Sequence, residues 1–419
     1  PIRRLWRWRN LLRRCGVVLL VTLALLSPWE WSLFRAMTAP GGDSEQARVA
    51  EWVRSQGGGG LVTWAENLQY RLHPAKVGGA PPSDSPLLQP TAAPAVIAAP
   101  TSTAPASTAA PTSTAPASTA APASTAPPVA PTSSAAVTTR PPQVALPADV
   151  VPIASPPLPQ EGKWQTVAVV SGQPAMRVAY LRPDNVHTSY TSAVVWMNQH
   201  VLRTVYHPGT DQPGGGPWSL PSDLAGPRRV GLLAAYNSAF RLGDAKGGFY
   251  DEGRTVAPLR AGAASMVTTV DGRVQVGTWG TDLAMTPQVA SVRQYLILMV
   301  VKGKVVSSIN DNTGERWGQT ISHRAFVWRT GVGVTAGGDV VFAAGNGLSQ
   351  TTLAELLQRA GAQRAMELDI NPAWTTFISY GQAAGNGTDE RLLLPDMVKR
   401  ANRYDTPSTR DFYAVYAKG

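Results

Sequence analysis

The sequence predicts an α+β fold: a strand-rich mixed domain with many hairpins and few helices. Two observations carry that prediction. Short alternating or continuous apolar runs recur from residue 162 onward, as in Trp164–Val170, Met176–Leu181, Ala193–Met197 and Val230–Ala235. Several pairs of runs are also joined by tight-turn residues. Asp271-Gly272 separates Ser265–Val270 from Arg273–Thr278, and Gly337-Gly338 separates Val332–Thr335 from Val340–Ala344. Lys302-Gly303-Lys304 does the same between Tyr295–Val301 and Val305–Ile309. Hairpins in series with one clear helix argue against a doubly wound parallel sheet.

That helix organises the distal part of the chain. Leu353, Leu356, Leu357 and Ala360 recur at helical spacing, with Thr352 and Glu355 read as a capping box and Gly361 as the stop. A strand, Ala365–Ile370, follows. Its alternation puts Glu367 and Asp369 on one face, roughly 7 Å apart. A buried pair of like charges raises one pKa and gives a site both an acid and a base near neutral pH. Pro372 closes the strand and leaves Asp369 at its C-terminal tip.

The amino-terminal third has a different composition. Six of the chain's +10 net charges are arginines within the first 14 residues, so residues 1–14 read as a cytoplasmic basic segment. Residues 15–34 follow as a signal anchor: an apolar run over Gly16–Leu26, then Trp29, Trp31 and Phe34 as an interfacial belt. This orientation places the rest of the chain outside the cell membrane as a single-pass protein. Residues 40–80 read as a short helical membrane-proximal segment too small to bury a core alone. Residues 81–161 are an Ala/Pro/Ser/Thr-rich disordered linker in which APTSTAPASTA occurs twice. Fully extended, it reaches on the order of 200 Å. The folded domain is 162–419.

Several chemistries are disfavoured. With the early arginines set aside there is no basic run, so the high pI is a poor argument for nucleic acid. Cys15 is the one cysteine, which rules out an intrachain disulfide and a thiolate zinc cluster. The five histidines are scattered, and no nucleophile elbow, Walker loop or dinucleotide fingerprint is present. No cofactor or metal is expected.

Three stretches in order point to a family: Ala234-Ala235-Tyr236-Asn237-Ser238-Ala239-Phe240, Arg329-Thr330-Gly331-Val332-Gly333-Val334, and Gly347-Leu348-Ser349 running on to Ala365-Met366-Glu367-Leu368-Asp369. Together they resemble the phosphodiester glycosidase family, and most nearly its membrane-anchored actinobacterial branch. The resemblance implies cleavage of a sugar–phosphodiester or related glycosidic linkage in an envelope polysaccharide or glycoconjugate. It places Asp369 and Arg329 on the family's motif aspartate and arginine, and Asn237 and Ser349 on its asparagine and Thr/Ser. Glu367 joins Asp369 and Arg329 as a catalytic candidate, while Asn237, Ser349, Trp374 and Lys246 are candidates for substrate binding. A guanidinium suits a phosphodiester, a carboxylate can handle a proton or a cationic centre, and an aromatic ring can stack on sugar. Two departures stand out. Asp369 is followed by Ile370-Asn371-Pro372 instead of the family's glycines, and Asn237 by Ser238-Ala239. They leave a second expectation open, a non-catalytic carbohydrate-binding or wall-spacer protein on the same fold. The first expectation requires Asn237, Arg329, Glu367 and Asp369 to converge on one concave pocket with Trp374 nearby.

Overall fold

The turn residues do what their chemistry allows. Gly272 takes φ 78° and Gly338 φ 84°, conformations a glycine adopts without a Cβ clash. They close the hairpins of β9 (Ala264–Thr269) with β10 (Val274–Thr278) and of β14 (Val327–Thr335) with β15 (Val340–Leu348). This computed structural model describes residues 28–39, 44–89, 94–97, 145–311, 313, 316–317, 326–382 and 388–418.

The strands form three sheets. The largest has nine, in the order β1 (Ala95–Ile97), β2 (Gln165–Val170), β3 (Gln173–Leu181), β4 (Ser192–Met197), β15, β14, β16 (Ala362–Glu367), β12 (Leu298–Val301) and β13 (Lys304–Val305). Only the β1–β2 pairing in it is parallel. A second sheet runs β10, β9, β11 (Val289–Gln294), β7 (Phe249–Asp251) and β8 (Arg254–Ala257). The third runs β18 (Thr388–Leu392), β17 (Phe377–Gln382), β6 (Leu232–Asn237), β19 (Phe412–Ala417) and β5 (Leu202–His207). One face of the large sheet supplies Val178, Val195, Val332, Phe342 and Met366 to a core shared with Tyr236, Phe377 and Tyr413 of the third sheet and Phe249 and Met266 of the second. The strand-rich α+β fold is therefore present.

The opposite face carries helix α4 (Gln350–Arg359), which follows α1 (Glu45–Ser55), α2 (Gly59–Leu72) and the short α3 (Leu242–Ala245) in the chain. Leu353, Leu356 and Leu357 pack on Val341, Ala343 and Ala365. Gly331 of the Arg-Thr-Gly-Val-Gly stretch explains how closely: a Cβ there would lie 2.9 Å from Leu357 Cδ1. A Cβ on Gly333 would instead meet the neighbouring strand β16, 2.7 Å from the Arg364 carbonyl.

The helix begins earlier than its spacing suggested. Its N-cap is Ser349, whose hydroxyl accepts from Thr352 N while Thr352 Oγ1 accepts from Ser349 N. The capping box is thus Ser349 with Thr352 rather than Thr352 with Glu355, because β15 runs straight into the first turn. Ser349→Ala is expected to cost about 1 kcal/mol, read as a lower denaturant midpoint with an unchanged slope. The strand expected over Ala365–Ile370 runs instead over Ala362–Glu367, so Asp369 lies just beyond it.

The expected linker narrows from both sides. Within 81–161, Ala95–Ile97 adds an edge strand. Val150 is fully buried, and the Glu161 carboxylate holds the Arg182 guanidinium inside the domain. Ser85 bonds Thr191, so the first residues of the expected linker also touch the body. The central repeats, and most of the expected anchor at 15–34, lie outside the described residues. Residues 28–38 are helical. Among the described residues no helix is long and apolar enough to cross a membrane.

Candidate active site

Asp369 sits where three parts of the fold meet. Its carbonyl accepts from Thr330 N at 3.2 Å and from Thr330 Oγ1 at 2.7 Å. Its amide donates to the Ser238 carbonyl at 3.3 Å. These bonds fasten the end of β16 to β14 and to the residue after β6, two of the stretches that carry the family resemblance. Pro372 and Trp374 lie in the turn that follows, where the Asp369 carboxylate accepts from Asn371 N at 2.9 Å.

The other Asp369 carboxylate oxygen takes a 2.9 Å ion pair from Arg410 Nη2. Burial raises the Asp369 pKa to about 6; Arg410 pulls it down, while Glu51 and Asp411 push it up. Arg410 is itself 5% exposed. The indole of Trp374 lies under it at 5.0 Å, with Arg403 at 5.4 Å and the Lys399 ammonium at 4.7 Å from the same ring. Trp374 is only 3% exposed. It therefore acts as a platform for cations and does not line an open hollow.

Glu367 and Arg329 form a separate pair. The Arg329 guanidinium bonds the Glu367 carboxylate, the Leu348 carbonyl at 3.0 Å and the Gln350 side chain at 3.4 Å. Both residues are buried, on the α4 side of the sheet. Desolvation raises Glu367 to about 7 against the pull of Arg329, and Asp369 adds to the rise. The sequence reading expected a like-charge pair in which one pKa is raised; here burial raises both carboxylates. Each, however, has its own guanidinium, so they do not share one proton.

The remaining candidates divide. Asn237 is 3% exposed and its amide is used internally: Nδ2 donates to Thr330 Oγ1 and to the Ser238 carbonyl, both at 2.9 Å, and Oδ1 accepts from Thr376 N. It ties β6 to β14 and to the turn after Asp369. Ser349 caps α4. Lys246 is an exposed residue at φ 51° closing α3. The four residues expected around one hollow thus converge on a hydrogen-bonded interior. A cavity of about 300 Å³ lies elsewhere, between Gln165, Met176, Tyr180 and the β17–β18 pair.

Sequence reasoning missed Arg410, Arg241 and Glu51. Arg241 Nη1 reaches Glu51 Oε2 at 3.0 Å, and Arg410 Nη1 reaches Glu51 Oε1 at 3.6 Å. None lies in a recognisable motif, and Glu51 stands more than three hundred residues before Asp369. No signal in a single sequence could have joined them.

The site is thus a mixed sheet that ends on a buried carboxylate paired with the Arg410 guanidinium. Residues 231–369 match the phosphodiester glycosidase family, from the residue before β6 to Asp369 itself. Among solved structures the chain is similar to the zebrafish N-acetylglucosamine-1-phosphodiester alpha-N-acetylglucosaminidase catalytic domain auto-inhibited by pro-peptide. That likeness has 15% identity and a TM-score of 0.40, and covers 61% of this chain and 88% of that one. A hypothetical protein from Synechocystis is similar at 11% identity and a TM-score of 0.34, covering 61% and 65%. No curated protein matches the chain in sequence.

Proposed function

We propose that this protein is an exported, membrane-tethered glycosidase that hydrolyses a sugar–phosphodiester or related glycosidic linkage in an envelope polymer or glycoconjugate. The observation that carries the reading is Asp369: a buried carboxylate at a strand tip, closing the family match and facing Arg410. An ionised Asp369 stabilises positive charge developing at the sugar's anomeric carbon, or handles the proton of the attacking water. The guanidinium groups beside it favour a substrate that carries a phosphodiester anion. The arginines near the amino terminus and the apolar run behind them support export and tethering.

The test is to incubate the full chain with purified envelope polymers and sugar phosphodiesters and measure released sugar. Release is expected from the parent. An ionised Asp369 also sets the pH dependence. With its pKa near 6, kcat/KM rises from pH 5 to 7 and levels above, as more of the enzyme carries the carboxylate. A profile that falls over that interval assigns the essential group elsewhere.

One observation favours a second reading. Asn237 and Ser349 direct their polar atoms to the protein itself, as a fold that has kept its frame and lost turnover would do. Binding to isolated envelope material without product from any polymer decides for such a carbohydrate-binding or spacer protein.

A further inference from the structure

Exposed aromatic rings are unevenly placed along the chain. Among the described residues, the tryptophans and phenylalanines that stand largely in solvent are Trp29, Trp31, Phe34 and Trp64, at 50%, 61%, 56% and 64% exposure. All four come before the linker. The strand domain keeps its own tryptophans and phenylalanines buried or half-buried. Exposed apolar groups gathered on one part of a molecule mark an interaction surface.

Their helical positions make faces. Leu61, Trp64, Leu68 and Leu72 of α2 are all exposed. Steps of three, four and four residues put them within an arc of about 80°. Val62 and Glu66 mark the other side of α2. Val62 is buried; Glu66 pairs with Arg54 of α1 and accepts a 3.5 Å bond from Asn371 of the domain. The apolar stripe therefore faces away from the body, the reverse of an ordinary surface helix. The helix over residues 28–38 is fastened to α1 in turn. Trp52 Nε1 donates to Ser32 Oγ at 3.1 Å, and Arg48 donates to the Met37 carbonyl at 2.9 Å. Trp31 and Phe34 are left stacked on each other in solvent, 5.7 Å apart.

The course of the chain says what covers these faces. The apolar run Gly16–Leu26 stops just before the helix that begins at Pro28. Two residues of chain reach about 7 Å, so a run that enters the bilayer leaves the 28–38 helix at its surface. Tryptophan is the residue enriched at that depth. We propose that α2 and the 28–38 helix are a membrane-docking surface, lying in the lipid interface with their exposed apolar residues about 5–10 Å into the headgroup–acyl boundary. The proposal rests on the tethering in the reading above and is independent of hydrolysis. It adds a position for the domain. Glu66 and Asn371 join α2 to the turn that holds the Asp369 carboxylate. The site is then separated from lipid by little more than one helix, about 10 Å across, and does not stand at the far reach of the linker.

The experiment uses the full chain in vesicles of phosphatidylcholine and phosphatidylglycerol. Cys15→Ser removes the one native cysteine, and Leu68→Cys, Leu72→Cys or Val270→Cys supplies a single site for an environment-sensitive fluorophore. Val270, 65% exposed at the turn between β9 and β10, is the control. Two positions on α2 guard against one that disturbs folding, which thermal melts check. Emission from 68 and 72 is expected to shift to the blue and to be quenched by lipids carrying a nitroxide near the top of the acyl chain. Emission from 270 should do neither. Adding Trp64→Glu to the Leu72→Cys chain should abolish both signals while the protein still floats with the vesicles. Quenching at 68 and 72 no stronger than at 270 overturns the proposal. So does self-quenching there that follows protein density and ignores the lipid quencher, which assigns the stripe to a second copy of the chain. In either case a floating protein leaves the tether standing, whereas a protein that does not float removes both. The outcome of the sugar-release assay changes none of these readings.

Discussion

Asp369→Asn is expected to lower kcat for sugar release on the order of a thousandfold, within the span seen when a proton-handling or charge-stabilising group is removed. The substitution keeps the size of the side chain and can still accept from Asn371 N, but it removes the negative charge next to Arg410. KM should change little, because the arginines that favour the anion remain. A single-turnover assay separates this loss from slow product release. If Asp369→Asn releases as much sugar as the parent, the active site is not at the tip of β16. The thermal midpoint must be read alongside, since Arg410 loses its buried partner.

The second large effect falls on stability. Arg329→Ala leaves Glu367 buried beneath α4 without its guanidinium, and it also frees the Leu348 carbonyl and the Gln350 side chain. Breaking a buried pair from one side costs about 3–5 kcal/mol. The loss should depend on pH, with a definite sign. Glu367 already has a folded-state pKa raised to about 7, above the usual carboxylate value, so the folded state holds its proton more tightly than the unfolded chain does. Removing Arg329 strengthens that bias. Below the unfolded pKa the group is protonated in both states and costs little. As pH rises through the folded pKa, the bare carboxylate must be buried or the chain must unfold. The defect should thus be larger at pH 8 than at pH 5, read from denaturant midpoints at each pH. A defect of equal size at both values would mean that packing, not charge, dominates at Arg329.

The two expectations give Asp369 and Arg329 different roles, although the family resemblance carried both as catalytic. Arg329 is buried at the foot of α4 and bonds Glu367, Leu348 and Gln350 there, which makes it a structural cation in this conformation. Asn237 is similar: its amide bridges β6, β14 and the turn at Thr376. These residues frame the site by fixing the backbone of Thr330 and Asp369.

The sequence by itself determined the hairpins, since Asp271-Gly272 and Gly337-Gly338 act through local backbone conformation. It also determined helix α4, through its apolar spacing and its glycine stop, and singled out Asp369, whose motif lies within one strand and turn. It could not determine which arginine Asp369 would pair with. That depends on β19 pairing with β6, which carries Arg410, two residues before the strand, towards Asp369, and an ion pair between residues 41 apart leaves no periodic trace. The same holds for Glu51 on Arg241, where the contact spans nearly two hundred residues. Side-chain charge acts through space over a few ångströms, so only the packing of the three sheets and α1 decided which charges met.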